Sequence, residues 1–188
     1  YKGSRNTVFS CVRFGNVMGS RGSVIPLFRD QIMKGESVTV THNEMTRFMM
    51  SIPQAAQLVL DAAEYSKGGE VFVLKMPILK ITDLAHSLIS SYQSVTGNSK
   101  DIAVVETGIR PGEKLYEELM TLEESERAYE NDKMYIIPSF FNPKEQEYPE
   151  FKTAKRQEYS SFTAPRLDAK EISELIEKYN LGFTRRSL

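Results

Sequence analysis

Apolar and polar residues follow two different periods along the chain, and stretches of the two kinds alternate. Runs rich in β-branched and aromatic residues predict strands at 7–12, 37–41, 70–74, 101–106 and 133–138. Apolar residues that recur every three or four positions predict helices after Ser23, after Ser51, after Thr82 and from about Asp168. Strands that alternate with helices in this way predict an α/β fold with parallel strand pairing.

The ends of these helices carry local signals. Ser51 and Gln54 form a capping box, and Thr82 is predicted to cap the third helix. Gly35 and Gly97 are predicted to end the first and third helices, because glycine adopts the left-handed conformation that follows many helices. The apolar residues at helical spacing are Ile25, Phe28 and Ile32; Ile52, Ala55, Leu58, Val59, Ala62 and Ala63; Leu84, Ala85, Leu88, Ile89, Tyr92 and Val95; and Ile172, Leu175, Ile176 and Tyr179.

Other parts of the chain are less regular. The segment 107–120, "TGIRPGEKLYEELM", is predicted to be a turn that runs into a helix. Residues 121–133 are acidic and are predicted to form a solvated helix, whereas 139–161 lacks periodicity and is predicted to be irregular. Cys11 in the first strand is predicted to be a small buried hydrophobe, and Arg13 is predicted to pair with a carboxylate.

Composition limits the classes of function. With 188 residues, 40% of them hydrophobic, the chain can bury its own core, so we expect one compact unit. The 24 basic and 25 acidic residues leave a net charge of −1, which argues against a nucleic-acid partner. Cys11 is the only cysteine and the 2 histidines are far apart, so we expect a reducing, cytoplasmic location and no metal site. No apolar run is long enough to span a bilayer, and we expect no membrane contact by this stretch.

A glycine-rich loop carries the first candidate chemistry. The segment 12–28, "VRFGNVMGSRGSVIPLF", places three glycines and two arginines where a predicted strand ends. Glycine permits close approach of the backbone and arginine pairs with phosphate, so an anionic ligand is predicted here. The spacing of Gly15, Gly19 and Gly22 is not that of a dinucleotide-binding loop, and Arg21 is predicted to be exposed to solvent.

Four segments resemble, in order and spacing, the C-terminal half of a known enzyme family. They are "VRFGNVMGSRGSVIPLF" (12–28), "VTVTHNEMTRFMMSIPQAAQLVL" (38–60), "GEVFVLKMP" (69–77) and "RPGEKLYEEL" (110–119). The family is that of the polysaccharide-biosynthesis nucleotide-sugar enzymes of the extended short-chain dehydrogenase/reductase group. Within it the chain is most similar to UDP-N-acetylglucosamine 4,6-dehydratases, and capsule-type 4-epimerases are also similar.

The resemblance implies a partial NAD(P)-binding Rossmann-like fold, with the C-terminal strands only, plus a smaller α/β substrate-binding lobe. It assigns residues 1–20 and 50–78 to the Rossmann-like part, and 21–49 and 79–188 to the lobe and a C-terminal extension. Complete family members carry a glycine fingerprint and a Tyr-x-x-x-Lys pair upstream of the "RFGN" strand. The chain begins at Tyr1 without either element, so we expect a fragment with no catalytic residue of its own, whose cofactor is NAD or NADP.

The resemblance also implies residue roles. The residues that match UDP-sugar contacts are Asn16, Ser23, Val24, Thr39, Thr41, Arg47, Arg110 and Glu113, and those near the nicotinamide are Phe14 and Val17. Arg47 and Arg110 are expected to hold the pyrophosphate, since a guanidinium fork pairs with phosphate oxygens. Glu113 is expected to accept hydrogen bonds from the ribose hydroxyls, and the strand bearing Thr39 and Thr41 is expected to lie against uracil.

Several hypotheses remain open at this point. The first is the substrate-binding portion of a UDP-N-acetylglucosamine 4,6-dehydratase of surface polysaccharide or glycan synthesis, acting as a homo-oligomer. A 4-epimerase of the same family is the alternative, and the upstream half, which supplies the acid and base groups, would discriminate between them. From another class, the chain could be a noncatalytic module that binds a nucleotide sugar or assembles with a partner.

Overall fold

The computed structural model describes residues 7–20, 22–98, 100–141 and 148–184 of the chain. Its helices in these ranges are α1 (Val24–Lys34), α2 (Ile52–Tyr65), α3 (Ile81–Thr96), α4 (Leu122–Ser125) and α5 (Ala169–Lys178). Its strands there are β1 (Cys11–Arg13), β2 (Asn16–Val17), β3 (Val38–Val40), β4 (Thr46–Met50), β5 (Val71–Leu74), β6 (Ile78–Lys80), β7 (Val104–Glu106), β8 (Glu118–Met120), β9 (Tyr129–Glu130), β10 (Met134–Ile137), β11 (Lys152–Thr153) and β12 (Tyr159–Ser160).

The largest sheet has five strands in the order β1-β5-β10-β9-β11. β1 and β5 are parallel, with Cys11 opposite Val71, and α2 lies between them in the chain. The remaining pairs of this sheet are antiparallel. The α/β prediction is therefore confirmed, with the correction that only part of the pairing is parallel.

A second sheet, β2-β4-β6, positions the candidate site. β2 is parallel to β4, with Asn16 opposite Met49, and β6 is antiparallel to β4. All five residues of β4 are buried. A strand buried on both faces does not alternate between apolar and polar residues, so the sequence pattern did not predict β4. Two small sheets complete the set: β3 is parallel to β7, and β12 is antiparallel to β8.

Helix α1 forms as its sequence predicts. Ile25, Phe28 and Ile32 are its buried residues, and Gly35 ends it in the left-handed conformation, with φ of 69°. The Gly35 amide donates to the carbonyls of Gln31 and Ile32, which satisfies groups that the helix leaves free.

Helix α2 has the predicted capping box. The Ser51 side chain accepts from the Gln54 amide, and the Gln54 side chain accepts from the Ser51 amide. Of the apolar residues at helical spacing, only Leu58 and Ala62 are buried. Ile52 and Val59 are exposed, as is Leu60, so α2 presents an uncovered apolar face in the described part of the chain.

Helix α3 packs against α5 and against α1, and residues of all three helices belong to one core cluster. The buried members from these helices include Leu84, Ala85, Leu88, Ile89, Ile172 and Ile176. A capping box of Asp168 and Glu171 starts α5, in agreement with the predicted start near Asp168. Thr82 does not cap α3, because the helix already begins at Ile81 and Lys80, two residues before Thr82, occupies the N-cap position. The Thr82 hydroxyl donates to the Asn43 carbonyl instead.

Two predictions about single side chains have opposite outcomes. Cys11 is exposed rather than buried, because β1 is the edge strand of its sheet and nothing in the described residues covers its outer side. Arg13 pairs with a carboxylate, as predicted: its two terminal nitrogens lie 2.8 and 2.9 Å from the two oxygens of Glu124.

The segment after β7 differs from its prediction. Residues 107–120 do not run into a helix; they form an extended loop that ends in β8. The predicted solvated helix over 121–133 is reduced to the single turn of α4, followed by β9, and buried Ser125 and Ala128 replace the expected solvated face. Tertiary pairing of β9 with β10 competes here with the helical tendency of an acidic sequence.

Strands of both predicted lobes meet in the five-stranded sheet, since β1 and β5 belong to the Rossmann-like ranges and β9, β10 and β11 to the lobe. The division into 1–20 and 50–78 against 21–49 and 79–188 stays a prediction. No helix within the described ranges combines the length and the apolar composition that crossing a bilayer requires.

Candidate functional site

The site begins where the chain passes from β1 to β2 over Gly15. A Cβ atom on Gly15 would lie 2.4 Å from the Phe48 Cβ and 2.6 Å from the Phe48 carbonyl oxygen. Only glycine permits this approach of two backbones. The contact brings β2 against β4 and thereby fixes the position of Asn16.

A cavity of about 330 Å³ lies between β2, the following loop and the start of α1. Its lining residues are Asn16, Val17, Met18, Ser20, Gly22, Ser23, Val24, Ile25 and Met49. Four of the predicted site residues, Asn16, Val17, Ser23 and Val24, therefore meet in one cavity. The structure brings them together although they come from a strand, a loop and a helix.

Ser23 has an unusual role at the start of α1. It occupies the N-cap position, but its side chain makes no capping hydrogen bond. Its hydroxyl oxygen is buried and has no hydrogen-bond partner in the described structure. A buried hydroxyl without a partner costs free energy, and the start of a helix attracts negative charge. The two features together suit a polar or anionic ligand in the cavity.

Arg47 on β4 is buried and holds the loop that follows β7. Its Nη1 atom donates to the carbonyls of Thr46 and Leu115, at 2.8 and 3.2 Å, and its Nη2 atom donates to the Lys114 carbonyl at 2.7 Å. Since side chains alternate along a strand, Arg47 lies on the same side of β4 as Met49, which lines the cavity. Arg47 itself does not line the cavity; its hydrogen bonds hold the loop that carries Lys114 and Leu115 against β4.

Glu113 gathers three of the other predicted residues. Its carboxylate accepts from the Thr41 hydroxyl at 3.2 Å and from the Arg110 backbone amide at 3.3 Å. It also lies 3.9 Å from Arg47 Nη2. A second group of predicted residues therefore forms around Glu113: Thr41, Arg47 and Arg110. The hydrogen bonds of Arg47 to the carbonyls of Lys114 and Leu115 hold this group together. The side chain of Arg110 is exposed at the edge of this group.

Glu117 is a member of this group that sequence reasoning missed. Its carboxylate accepts from the Phe48 amide at 3.2 Å and lies 3.9 Å from Arg47 Nε. Burial raises the pKa of Glu117, while the Phe48 amide and the Arg47 charge act in the opposite direction. The only feature of the sequence that could have indicated a role for Glu117 is its position in the motif "RPGEKLYEEL", and a helix was predicted there.

Two predicted site residues, Thr39 and Phe14, lie apart from these contacts. The Thr39 hydroxyl and amide both bind the Gln31 side chain, at 2.9 and 3.1 Å, so β3 uses them within the fold. Phe14 lies between β1 and β2 with 40% of its surface exposed, outside the cavity lining. Arg21 lies outside the described residues.

Known proteins resemble this chain over most of its length. It is 54% identical over 132 residues to the capsular polysaccharide biosynthesis protein CapD of Staphylococcus aureus, which covers 69% of the chain and 21% of CapD. It is 38% identical over 146 residues to a UDP-N-acetylglucosamine 4,6-dehydratase (inverting) of Campylobacter jejuni, covering 77% and 41%. A UDP-glucose 4-epimerase of Rickettsia bellii is 38% identical over 191 residues, covering 97% and 52%.

A solved structure has the same fold. The X-ray structure of Pen from Bacillus thuringiensis superposes with a TM-score of 0.85 at 43% identity, covering 97% of this chain and 53% of that one. The chain thus spans about half the length of Pen, and a fifth to a half of the relatives above. A family model described as "Polysaccharide biosynthesis protein" matches residues 1–139. With the fold, the matched range and these relatives in agreement, the chain belongs to the polysaccharide biosynthesis protein family of nucleotide-sugar dehydratases and epimerases.

Proposed function

We propose that this chain is the substrate-binding portion of a UDP-N-acetylglucosamine 4,6-dehydratase that acts in surface polysaccharide or glycan synthesis. One observation carries the proposal: the buried, unpaired Ser23 hydroxyl lies in a cavity that also contains Asn16, Val17 and Val24. The family resemblance assigns all four of these residues to ligand contacts. A cavity of about 330 Å³ lies within the range of small-molecule sites.

The proposed ligand is a UDP-sugar, and each group of residues has a distinct part in binding it. Asn16 and Ser23 approach the sugar-phosphate, helped by the positive end of α1. Arg110 supplies an exposed guanidinium for the diphosphate. Arg47 already donates to three carbonyls, so it offers its remaining N–H groups and fixes the loop that carries Arg110. Glu113 accepts from the ribose hydroxyls, and Thr39 and Thr41 lie on the side of uracil.

NAD or NADP is the proposed cofactor, in keeping with the dehydratases and epimerases of the family. Phe14 fits a nicotinamide because it is a large apolar side chain with 40% of its surface exposed, which an apolar ring would cover. Val17 offers a second apolar contact from the cavity wall. When bound, the cofactor takes a hydride from the sugar and returns it.

In the dehydratase reaction C4 would give up a hydride and its hydroxyl a proton, water would be lost as a proton from C5 and hydroxide from C6, and the hydride would return to C6 while C5 takes up a proton, which leaves a 4-keto-6-deoxy sugar. In the alternative, a 4-epimerase, the hydride returns to C4; identity to the epimerase of Rickettsia bellii supports this second candidate. The groups that move protons belong to the upstream half in either case. The residues of this chain bind and orient the nucleotide sugar.

Further proposals follow from the same assignment. Residues 1–20 and 50–78 form the Rossmann-like part, and 21–49 and 79–188 form the substrate lobe and C-terminal extension. The complete protein works as a homo-oligomer in the cytoplasm, without a nucleic-acid partner.

Calorimetric titration of UDP into the complete protein that contains this chain tests the nucleotide site. Arg110→Ala is expected to weaken binding roughly ten- to a hundredfold, because charge-assisted hydrogen bonds contribute about 1.5–3 kcal/mol and each 1.4 kcal/mol is about tenfold. Arg110→Lys is expected to recover part of the loss, since lysine keeps the charge without the planar fork.

Arg47→Ala is expected to weaken UDP binding and also to lower the melting temperature, because it releases the carbonyls of Lys114 and Leu115.

Arg156 is the matched control, because it is an exposed arginine whose side chain pairs with exposed Glu126 and with no other residue that the structure describes. Arg156→Ala should leave UDP affinity unchanged. Equal affinities in the wild type and the Arg110→Ala and Arg47→Ala variants would refute the site.

Product analysis discriminates between the reactions. Incubated with UDP-N-acetylglucosamine, the complete protein is expected to give a product lighter by one water, whereas an epimerase gives a product of equal mass. The 188-residue chain by itself is expected to be inactive. Turnover by the chain alone on the order of 1 per second, which is ordinary for an enzyme, would contradict that expectation and with it the assignment of the proton-transfer groups upstream.

A further inference from the structure

A short buried segment late in the chain contacts both parts of the proposed site, the cavity that contains Asn16 and the group around Glu113. The segment consists of the two residues of β12, Tyr159 and Ser160, and of Ser161, and we call it the anchor segment. Its residues are between 0% and 7% exposed. It lies beyond residues 1–139, which the family model matches, so the matched range assigns no role to it.

Ser161 fixes the end of loop 107–120. Its amide donates to the Glu117 carbonyl at 2.8 Å, and its Oγ atom accepts from the Glu117 amide at 2.9 Å. The same Oγ lies 3.0 Å from Thr46 Oγ1 and donates to the Thr46 carbonyl at 3.3 Å. Thr46 directly precedes Arg47 on β4. One buried hydroxyl therefore joins the loop to β4 beside the arginine that holds the middle of the loop.

Tyr159 supports the other part of the site. Its hydroxyl accepts from the Met76 amide at 2.7 Å and donates to the Met76 carbonyl at 3.3 Å. Met76 Sδ in turn accepts from the Gly15 amide at 3.2 Å. The Tyr159 ring centroid also lies 4.7 Å from that of Phe48, whose backbone is in close contact with Gly15. Tyr159 thus supports, through two neighbours, the turn that places Asn16 in the cavity.

We propose that Tyr159 and Ser161 are positioning residues of the UDP-sugar site, which fix the Asn16 cavity and the Glu113 group relative to each other. This inference rests on the proposed function. Neither residue lines the cavity, and both hold backbone groups of the elements that carry the site. A ligand that contacts both parts binds more tightly when they are already fixed, because less of the binding free energy is lost in ordering the loop.

Steady-state kinetics of the complete protein with UDP-N-acetylglucosamine, together with UDP calorimetry, test the role of Ser161. Ser161→Ala is expected to raise KM and to weaken UDP binding about fivefold, the effect of one hydrogen bond of ordinary strength. The kcat value is expected to stay unchanged, because the loop binds the nucleotide, which is the same in the ground state and the transition state. A role in stability alone would instead lower the amount of active protein, and so kcat, at constant KM.

Tyr159→Phe tests the contact with Met76. It removes the hydroxyl and keeps the ring that packs against Phe48, so the core retains its shape. It is expected to weaken UDP binding about fivefold, because the Met76 amide and carbonyl lose a partner of ordinary strength. Thr46→Val, which removes the hydroxyl 3.0 Å from Ser161 Oγ, provides the same comparison if Ser161→Ala does not fold.

Ser125→Ala is the matched control. Ser125 is also 0% exposed, and its Oγ atom likewise joins two backbone groups, the Leu122 carbonyl at 2.6 Å and the Gln157 amide at 3.1 Å. These groups belong to neither part of the site, so Ser125→Ala should lower stability and leave KM and UDP affinity unchanged.

The inference is overturned if Ser161→Ala or Tyr159→Phe binds UDP as tightly as the wild type, if the loss lies in kcat at constant KM, or if Ser125→Ala weakens UDP binding equally. Absence of UDP binding by the wild type would overturn the proposed function itself, and this inference with it. The two failures are therefore distinguishable.

Discussion

A serine at the start of a helix can serve either the helix or a ligand, and Ser23 and Ser51 illustrate the two cases. Ser51 accepts a hydrogen bond from the Gln54 amide, whereas the buried hydroxyl of Ser23 has no partner among the described residues. Ser51→Ala is expected to cost about 1 kcal/mol of unfolding free energy, within the usual range of about 0.5–2 kcal/mol for a lost cap. Ser23→Ala is expected to leave stability unchanged or slightly higher and to weaken UDP binding.

Urea unfolding and UDP calorimetry on both variants measure these effects. Each variant is the control for the other, because both remove one hydroxyl from the first position of a helix. A Ser23→Ala variant that loses as much stability as Ser51→Ala, with unchanged UDP binding, would contradict a ligand role for Ser23.

Glu117 makes stability depend on pH. Burial raises its pKa above the ordinary value of 4.5, so the native state holds a proton that the unfolded state releases in the interval between the two values. Its contribution to stability is therefore highest below pH 4.5 and decreases as pH rises through the raised pKa. Glu117→Gln is expected to remove this decrease.

Urea midpoints of the wild type and Glu117→Gln, measured from well below to well above pH 4.5, give the comparison. The advantage of the variant should grow as pH rises. Glu123→Gln, at an exposed position of α4, is the control that changes the same charge. A constant difference between wild type and Glu117→Gln across the range would show that burial does not govern this carboxyl.

At the scale of elements, the contact of β2 with β4 depends on Gly15. A methyl group there would meet the Phe48 backbone at 2.6 Å, and two paired strands cannot move apart without losing their hydrogen bonds. Gly15→Ala is expected to cost about 3 kcal/mol or more, the upper end of the cost of overpacking. Gly97→Ala provides the comparison, because Gly97 has φ of 68° but no atom within 4 Å of its added Cβ.

Gly97→Ala is expected to cost about 1 kcal/mol, from backbone strain alone. Thermal or urea unfolding of the two variants separates a steric cost from a conformational one. If Gly15→Ala is no more destabilising than Gly97→Ala, the close approach of β2 and β4 is not required.

At the scale of the whole molecule, the described chain leaves an apolar surface and a strand edge uncovered. In the described structure β1 is hydrogen-bonded on one side only, to β5. Exposed apolar residues precede β1 and lie on α2: Val8, Phe9, Ile52, Val59 and Leu60. Unpaired edges and exposed apolar patches promote association. The chain by itself is therefore expected to self-associate in sedimentation experiments.

Leu60→Lys is expected to shift this equilibrium towards monomer, because it places a charge on the uncovered face of α2. Leu27→Lys, at an exposed position of α1, is expected to have no such effect. A compact monomer at high concentration in the wild-type chain would contradict the proposed role of this surface.

Sequence patterns correctly predicted the elements that are stabilised by contacts between residues close together in the chain. The capping box of Ser51 and Gln54, the buried face of α1 and its end at Gly35 were all predictable, because partners at these sites lie within a few residues of each other. Segment 107–120 was predicted to run into a helix and instead forms an extended loop and β8. The propensity of its residues was outweighed by carbonyl contacts to Arg47, which is more than sixty residues earlier in the chain.

The sequence by itself determined the family, the α/β class and the residue types of the proposed site, since four motifs retain their order and spacing. Only the tertiary structure decided that Asn16 and Ser23 share a cavity while Arg47 and Glu113 form a separate group. It also decided that Cys11 is exposed and that Tyr159 and Ser161 contact elements of both. The reason is physical: burial and long-range hydrogen bonds depend on which elements pack together, and no short window of sequence contains both partners.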